Sequence, residues 1–244
     1  MVPVAVIVAW QLLSASGTIN PLFFPAPTAD LGALAQSWHA GTLLPDVLYS
    51  TRRVLFGIVI GSLVGLVIGL AMGLSPRVDR GLNLSVQVLR SVPPITWVGF
   101  AILWFGLNDS AVVFLVSLGV VFTIAIGAYE GIRQIDQVYI RAAQNIGANR
   151  WLLFRWIILP GALGSILTAL RIAVAAAWIL VVVGELVGVP VGIGAELTTA
   201  QDYGNNPLVV GYMAVIGLMG FLFDRGVVLL GGRLLRWQRV VERK

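Results

Sequence analysis

The sequence contains no cysteine, one lysine (Lys244) and one histidine (His39). Without cysteine, disulfides, zinc–thiolate sites and cysteine nucleophiles are excluded. A lone histidine with no second histidine or cysteine beside it predicts no metal site. A nucleotide-binding P-loop needs a Gly-Lys-Ser/Thr run, and Lys244 lies in no such run. We therefore predict no catalytic residue and no cofactor bound by this chain. If ATP drives the protein, a partner subunit binds it with Mg²⁺ and hydrolyses it.

Charged residues are also scarce. They make up 11% of the 244 residues, whereas hydrophobic residues make up 58%. This composition cannot form a soluble surface and is typical of an integral membrane protein in contact with lipid. A net charge of +5 would suit nucleic acid if it formed a patch, but the basic residues lie between apolar runs. Membrane topology explains them, and no nucleic-acid partner is predicted.

Six apolar runs are candidates for membrane helices and predict an all-α polytopic protein, a single transmembrane domain over residues 1–244. About 20 residues suffice to span, because a helix rises about 1.5 Å per residue against a hydrocarbon core of about 30 Å. The first run is short, and Ser14-Ala15-Ser16 after it resembles a signal-peptide cleavage site. No Lys or Arg precedes that run, which favours a first short membrane helix. The predicted spans cover residues 3–13, 54–74, 91–107, 111–129, 166–187 and 208–230.

Basic residues fall mostly on one side of these spans, and only Arg52 and Arg53 fall on the other. By the positive-inside rule, both termini and the segment between the fourth and fifth spans lie in the cytoplasm. The residues on the basic side are Arg77, Arg80, Arg90, Arg133, Arg141, Arg150, Arg155, Arg171, Arg225, Arg233, Arg236, Arg239, Arg243 and Lys244.

The second span carries a glycine at every fourth position. Such a stripe removes side chains from one slowly drifting face, and in lipid this lets another helix approach closely. We expect tight helix packing here, and a face lining a pore is the alternative. The glycines are Gly57, Gly61, Gly65, Gly69 and Gly73.

Residues 131–160, between the fourth and fifth spans, begin with the pattern of an amphipathic helix. Apolar residues recur with helical spacing from Ile135 to Ile146. Gly147 follows the last of them, where helices commonly end in the left-handed conformation. The pattern predicts a short helix outside the hydrocarbon, ending in a glycine bend.

A second helix is expected directly after the bend. Asn149 is a candidate N-cap for a helix that starts at Arg150. Pro160 has no backbone N–H and is expected to stop or kink this helix. A solvated basic loop is the alternative, but a loop needs neither an apolar stripe nor a cap, a bend and a stop at matched positions.

These residues carry a resemblance to ABC importer permeases. Ala142, Ala143 and Gly147, followed by Ile158-Leu159-Pro160, match the tail of the E-A-A-x-x-x-G-x(9)-I-x-L-P signature of that family. The sequence resembles most closely the permeases of the nitrate, sulfonate and taurine import family. The similar blocks are RSVPPITWVGFAILWFG at 90–106, GIRQID at 131–136, WILVVVGEL at 178–186 and FDR at 223–225. The sequence departs from the signature at Arg141, which replaces its glutamate.

The resemblance implies a type I importer permease fold in a bacterial inner membrane, with a cytoplasmic coupling helix. It implies a homodimer with a second permease copy, two cytosolic ABC ATPase subunits and an extracytoplasmic substrate-binding protein. Pro160 is expected to mark the end of the coupling segment. By the same resemblance, the residues expected to contact the ATPase are Tyr139, Arg141, Ala142, Ala143, Asn145, Gly147, Ala148 and Arg150.

Three residues are candidates for lining a transport pathway: Trp104, Trp178 and Glu185. Trp104 and Trp178 lie in the blocks similar to the family. Glu185 is a charge in a predicted span, where an unpaired carboxylate costs a few kcal/mol. It is expected either at the mouth of an aqueous pathway or at the interfacial end of the helix, bonded to the following loop. Asp224 and Arg225 are expected to form a local pair.

Two other functions stay open at this point. A secondary transporter would run on an ion gradient, but internal repeats and acids at the middle of the membrane, typical of that class, are not found in the sequence. A membrane scaffold would not need the glycine-rich loop after Glu185. The importer permease is therefore the predicted function, with alternating access as its mechanism. Its substrate is predicted only as a small solute such as nitrate, a sulfonate, taurine, or a related organic acid or vitamin precursor.

Overall fold

The computed structural model describes residues 2–16, 20 and 23–235, and these form helices without any strand. The predicted basic tail residues Arg236, Arg239, Arg243 and Lys244 lie outside the described residues. The helices are α1 (Val2–Ala15), α2 (Pro27–His39), α3 (Leu43–Leu74), α4 (Pro76–Ser91), α5 (Val98–Phe105), α6 (Asp109–Arg133), α7 (Gln137–Asn145), α8 (Arg150–Leu153), α9 (Leu159–Leu186), α10 (Ile193–Asp202) and α11 (Asn206–Leu234).

Four helical segments are long and apolar enough to cross a membrane: α3, α6, residues 150–186 and α11. They correspond to the second, fourth, fifth and sixth predicted spans. The first predicted span is α1, a helix of 14 residues. At about 1.5 Å per residue, α1 reaches about 21 Å, which is shorter than the hydrocarbon core of about 30 Å.

The third predicted span is not a straight helix. α4 and residues 94–105, a 3₁₀ turn followed by α5, are bent by 87° at the break between them. Pro93 and Pro94 lie at this break and supply no backbone N–H, which is the physical reason for it. The sequence pattern predicted that a helix starts at these prolines, but it did not predict that α4 and this helix form one bent pair. Counted as one broken span, the pair brings the number of crossing segments among the described residues to five.

The glycine stripe of α3 faces α6. A Cβ at Gly61 would lie 2.6 Å from the Cβ of Val120, and one at Gly65 would lie 2.5 Å from the carbonyl oxygen of Val121. Gly57, Gly69 and Gly73 meet other residues of α6 in the same way. The structure therefore places all five glycines where the two helices are in closest contact, as the four-residue spacing predicts.

α6 lies between α3 and α9, and the core is built around it. Small residues also bring α6 and α9 together, since a Cβ at Gly131 would lie 3.0 Å from the carbonyl oxygen of Ala162. The core cluster on these helices includes Val116, Val120, Ala173, Trp178 and Val181. The three helices form the rigid centre of the bundle.

One ion pair differs from the sequence-based expectation. Asp224 of α11 does not pair with its neighbour Arg225 but accepts two hydrogen bonds from Arg171 of α9, at 2.8 and 3.1 Å. Arg225 instead lies over the ring of Phe221, 5.0 Å from its centroid. Adjacent residues on a helix point about 100° apart, so the local pair was geometrically disfavoured.

Candidate functional site

The segment between α6 and α9 forms the expected helix–bend–helix. The Asp136 side chain accepts a hydrogen bond from the Val138 N–H at 2.9 Å and caps α7. α7 ends at Asn145, and Gly147 follows with a φ of +87°. Because side chains disfavour positive φ, glycine suits this bend. The Asn149 side chain accepts from the Leu152 N–H at 2.9 Å and caps α8, at the position that the sequence predicts.

α7 has no buried residue. Its apolar residues Ala142 and Val138 are exposed, Ile140 and Ala143 are half-buried, and Ile146 directly after it has 87% of its surface accessible. Val138, Tyr139, Trp151 and Trp156 are also more than half exposed. Of the residues expected to contact an ATPase, Tyr139, Arg141, Ala142, Asn145, Gly147 and Arg150 are exposed, and Ala143 and Ala148 are half-buried.

Pro160 does not end a helix, which was one of the two outcomes expected for it, and its place at the end of the coupling segment stays a prediction. Residues 154–158 form a π-helical turn that leads directly into α9, so the helix runs from Arg150 to Leu186 in one span. The Leu159 N–H donates to the Phe154 carbonyl, five residues back. This wider turn accommodates the proline ring and its missing N–H, and Pro160 lies in the first turn of α9, where proline is tolerated.

A cavity of about 700 Å³ lies between α7 and the start of α9. Ile135, Tyr139 and Ala142 line it on the α7 side, and Trp156 and Pro160 line it on the α9 side. Within the predicted apolar stripe, Ile135 packs against Gly161 and is half-buried, whereas Val138, Tyr139 and Ile146 remain exposed. This surface, residues 137–158, is called the coupling surface below.

At the opposite end of the bundle lies a buried charge cluster that includes Glu185. Glu185 is almost fully buried. Its carboxylate accepts hydrogen bonds from Ser50 Oγ at 2.8 and 2.9 Å, Arg53 Nη1 at 2.6 Å and the Gly194 N–H at 2.9 Å. It thus lies at the end of α9, bonded to the following loop, which is one of the two positions expected from the sequence.

The same cluster anchors the loop between α9 and α10. Three successive N–H groups, of Gly192, Ile193 and Gly194, donate to Asp46, Ser50 and Glu185 respectively. The Tyr212 hydroxyl donates to the second Asp46 oxygen at 2.8 Å. Backbone donors buried without partners would cost free energy, so these side chains allow an irregular loop to be buried here.

Arg53 lies at the centre of the cluster, but the sequence did not identify it as a functional or structural residue. Only 2% of its side chain is exposed, and it bonds Asp109, Glu185 and the Val191 carbonyl. In the sequence, Arg52 and Arg53 counted only toward topology. Their position beside an otherwise apolar span was the only available signal, and it does not identify their partners.

The two tryptophan candidates lie in separate places. Trp178 is buried and packs edge-to-face on Phe223, with ring centroids 5.4 Å apart. Trp104 is exposed on α5 and contacts Phe100 and Phe114, with centroids 5.6 and 5.8 Å away. The structure therefore does not bring Trp104, Trp178 and Glu185 together around one cavity.

The fold and these sites match known proteins. The sequence profile of the family described as "Binding-protein-dependent transport system inner membrane component" matches residues 57–236. The putative aliphatic sulfonates transport permease protein SsuC of Escherichia coli (strain K12) is 38% identical over 235 residues, covering 96% of this chain and 89% of that protein. The taurine transport system permease protein TauC of the same strain is 32% identical over 238 residues, covering 96% and 86%.

Solved structures show the same fold. Inward-facing conformations of the MetNI methionine ABC transporter align with a TM-score of 0.68 at 20% identity, covering 80% of this chain and 94% of that chain. A crystal structure of an amino acid ABC transporter with histidines aligns with a TM-score of 0.64 at 18% identity, covering 83% and 97%.

Proposed function

This chain belongs to the family of binding-protein-dependent transport system inner membrane components, and from that premise we propose that it forms the pathway of an ATP-driven importer by alternating access. It is an ABC importer permease of the inner membrane with the type I fold. Permeases of this kind act with an ATPase and a substrate-binding partner. We infer a homodimer of this chain with two cytosolic ATPase subunits and one extracytoplasmic binding protein.

The coupling surface is the observation that carries the proposal. Val138 and Tyr139 of α7 are more than half exposed, and Ile146 is 87% accessible. Burying one such side chain contributes about 1.5–3 kcal/mol, so a cluster left exposed marks an interaction site. The coupling surface lies on the side of the bundle that carries most of the arginines, and the positive-inside rule assigns this side to the cytoplasm. An ATPase subunit would bind there.

The continuous helix after Asn149 supports a direct mechanical link. Because the π-helical turn joins α8 to α9 without a break, a displacement of the coupling surface moves α9. α9 packs along α6, so the movement reaches the centre of the bundle. An ATPase that pulls on residues 137–158 would thereby shift the helices that form the pathway.

ATP and Mg²⁺ are proposed to bind only to the ATPase subunits, since no P-loop is present in this sequence. The distribution of arginine supports a cytoplasmic location for the coupling surface and for the end of α11. The N-terminus lies on the same side only if the short helix α1 also crosses the membrane. Relatives at 38% and 32% identity are named for aliphatic sulfonates and taurine, and one at 31% for bicarbonate. We propose a small sulfonate or a related small acid as the substrate class.

The test is assembly with the ATPase subunit that is proposed as the partner of this chain. Ile146→Asp places a charge on the coupling surface, and we expect at least a roughly tenfold loss in affinity for the ATPase, since interface anchors commonly contribute more than about 1.4 kcal/mol. Thermal stability should not change, because Ile146 is exposed. Gly147→Pro and Ala143→Asp alter the same surface, and both should uncouple transport from the ATPase.

Tyr203→Asp is the matched control. Tyr203 is 84% exposed but follows α10 at the opposite end of the bundle, so ATPase affinity in detergent should stay at the wild-type value. Wild-type affinity and ATP-dependent uptake in the Ile146→Asp protein would contradict the proposed coupling surface.

A further inference from the structure

A polar groove opens between α6 and α9 on the side of the bundle nearest α7. Its volume is about 690 Å³. A second cavity of about 310 Å³, between α4 and α6, shares Arg90, Ile126 and Glu130 with it. We call the two together the transit groove. Besides Arg90 and Glu130, its polar wall contains Thr123, Gln134, Ser165 and Thr168.

The groove extends from the end of α6 to its middle. Gln134 caps α6 and Thr123 lies 11 residues earlier, which is about 16 Å along a helix. A polar wall at this depth is costly against lipid, where backbone and side-chain polar groups lack water. It is therefore suited to a hydrated pathway that opens toward the coupling surface.

Two hydroxyl groups of the wall can act only as acceptors toward a ligand. Thr123 Oγ1 donates to the Gly119 carbonyl and Thr168 Oγ1 donates to the Gly164 carbonyl, each at 3.0 Å. Each hydroxyl has one proton, so both oxygens offer only lone pairs to a ligand. Together with the Glu130 carboxylate they favour a donor such as an ammonium group.

Arg90 and Glu130 are opposite charges that line both cavities. Arg52, Arg53, Arg133 and Arg171 each pair with an acid. Within the described part of the chain, neither Arg90 nor Glu130 takes part in an ion pair, and both are exposed to the groove. Arg90 lies in the last turn of α4 and Glu130 in the last turn of α6, so two opposite charges without an ion-pair partner in the described chain lie at one opening of the groove.

We infer that the transit groove is a low-affinity site for a small zwitterion, whose acidic group binds the Arg90 guanidinium and whose ammonium binds Glu130 and the threonine oxygens. A guanidinium matches the planar donors that sulfonate or carboxylate oxygens require. A simple anion would be repelled by Glu130, and a simple cation by Arg90. This inference rests on the proposed function and narrows its substrate class.

The experiment uses the complex of this chain with its ATPase in lipid nanodiscs, without the binding protein. Taurine and ethanesulfonate are the probes, since they differ only in the ammonium group. Binding of radiolabelled taurine should be detectable at millimolar concentration, and ethanesulfonate should compete at least about tenfold more weakly, as a charge-assisted hydrogen bond contributes a factor of this size.

Two variants separate the roles of the charges. Glu130→Gln should weaken taurine binding about tenfold and leave ethanesulfonate binding unchanged or stronger, so that the difference between the probes disappears. Arg90→Gln should weaken both probes. Arg77→Gln, on the same helix as Arg90 but outside both cavities, should behave as wild type.

Several results would overturn the inference. They are absence of taurine binding to the wild-type complex, equal affinity for both probes, or a Glu130→Gln protein that still prefers taurine. A groove filled by the second copy of the chain would give the first of these results. If the complex assembles and hydrolyses ATP but does not bind taurine, the inferred binding site is wrong, whereas the proposed importer function is unaffected. If the ATPase does not assemble with this chain at all, the proposed function itself fails.

Discussion

The guanidinium of Arg53 lies 2.6 Å from the Glu185 carboxylate, although 132 residues separate them in the sequence. The other Arg53 nitrogens lie 2.5 and 2.9 Å from Asp109. One buried side chain thus joins the beginning of α3, the beginning of α6 and the end of α9, at the end of the bundle opposite the coupling surface.

Removing one member of this pair should be strongly destabilising. Arg53→Met leaves the Glu185 carboxylate buried without its cation, and breaking a buried pair typically costs about 3–5 kcal/mol. The loss is measured as the free energy of unfolding in detergent. Arg52→Gln serves as the control, because half of the Arg52 side chain is exposed and exposed pairs contribute less than about 1 kcal/mol. Equal effects of the two substitutions would disprove the central role of Arg53.

Gly192 should tolerate no side chain. Its φ is +143°, and a Cβ there would lie 2.6 Å from both Arg53 Nη1 and Glu185 Cδ. Gly192→Ala is expected to destabilise by about 2 kcal/mol or more, from backbone strain together with displacement of the ion pair. Gly204 also has positive φ, +67°, but open space around it. Gly204→Ala should therefore cost only about 1 kcal/mol, and a thermal shift as large as that of Gly192→Ala would refute the steric argument.

The contact between α3 and α6 depends on the glycine stripe. A Cβ at Gly65 would lie 2.5 Å from the Val121 carbonyl oxygen, so Gly65→Ala should destabilise by about 1–3 kcal/mol, as overpacking usually does. At Gly217 of α11 a Cβ meets nothing within 4 Å. Gly217→Ala should be neutral or slightly stabilising, because alanine is the better helix former. Thermal unfolding of the two variants in the same detergent checks this, and a neutral Gly65→Ala would count against close packing.

Asp30 of α2 should make stability depend on pH. Burial raises the pKa of Asp30 from 3.8 to about 6. The folded chain then holds a proton that the unfolded chain releases, so stability falls as pH rises from about 4 through about 6. Asp30→Asn should remove this loss and be more stable than wild type at pH 7, with little difference at pH 4. Melting temperatures at several pH values give the comparison, with the exposed Asp202→Asn as control. A wild-type pH profile that Asp30→Asn leaves unaltered would exclude Asp30 as the cause.

Much of the local structure was predictable. The Asn149 cap, the bend at Gly147 and the glycine face of α3 depend on neighbours three or four residues apart, and helix geometry imposes those distances. Four of the six predicted spans, which correspond to α3, α6, residues 150–186 and α11, followed from length and apolar composition, because lipid demands both. The similarity of the 90–106 and 131–160 blocks to importer permeases indicated the family before any fold was known.

The remaining features required the folded chain. The sequence predicted that Pro160 would stop or kink its helix. It did not show the π-helical turn through which the helix continues, because that turn depends on how α8 joins α9. It did not show that residues before and after Pro93 form a sharply bent pair. It paired Asp224 with the adjacent Arg225, whereas tertiary packing brings Arg171 to Asp224.

By itself, the sequence determined a membrane-embedded helical bundle with an ordered, basic helix–bend–helix outside it, because composition, period and capping are local properties. Only the tertiary structure decided that Arg53, Asp109 and Glu185 share one buried site, and that Arg90 and Glu130 line one groove. The physical reason is that these contacts join residues far apart in the chain, and no local pattern specifies which distant charges will meet.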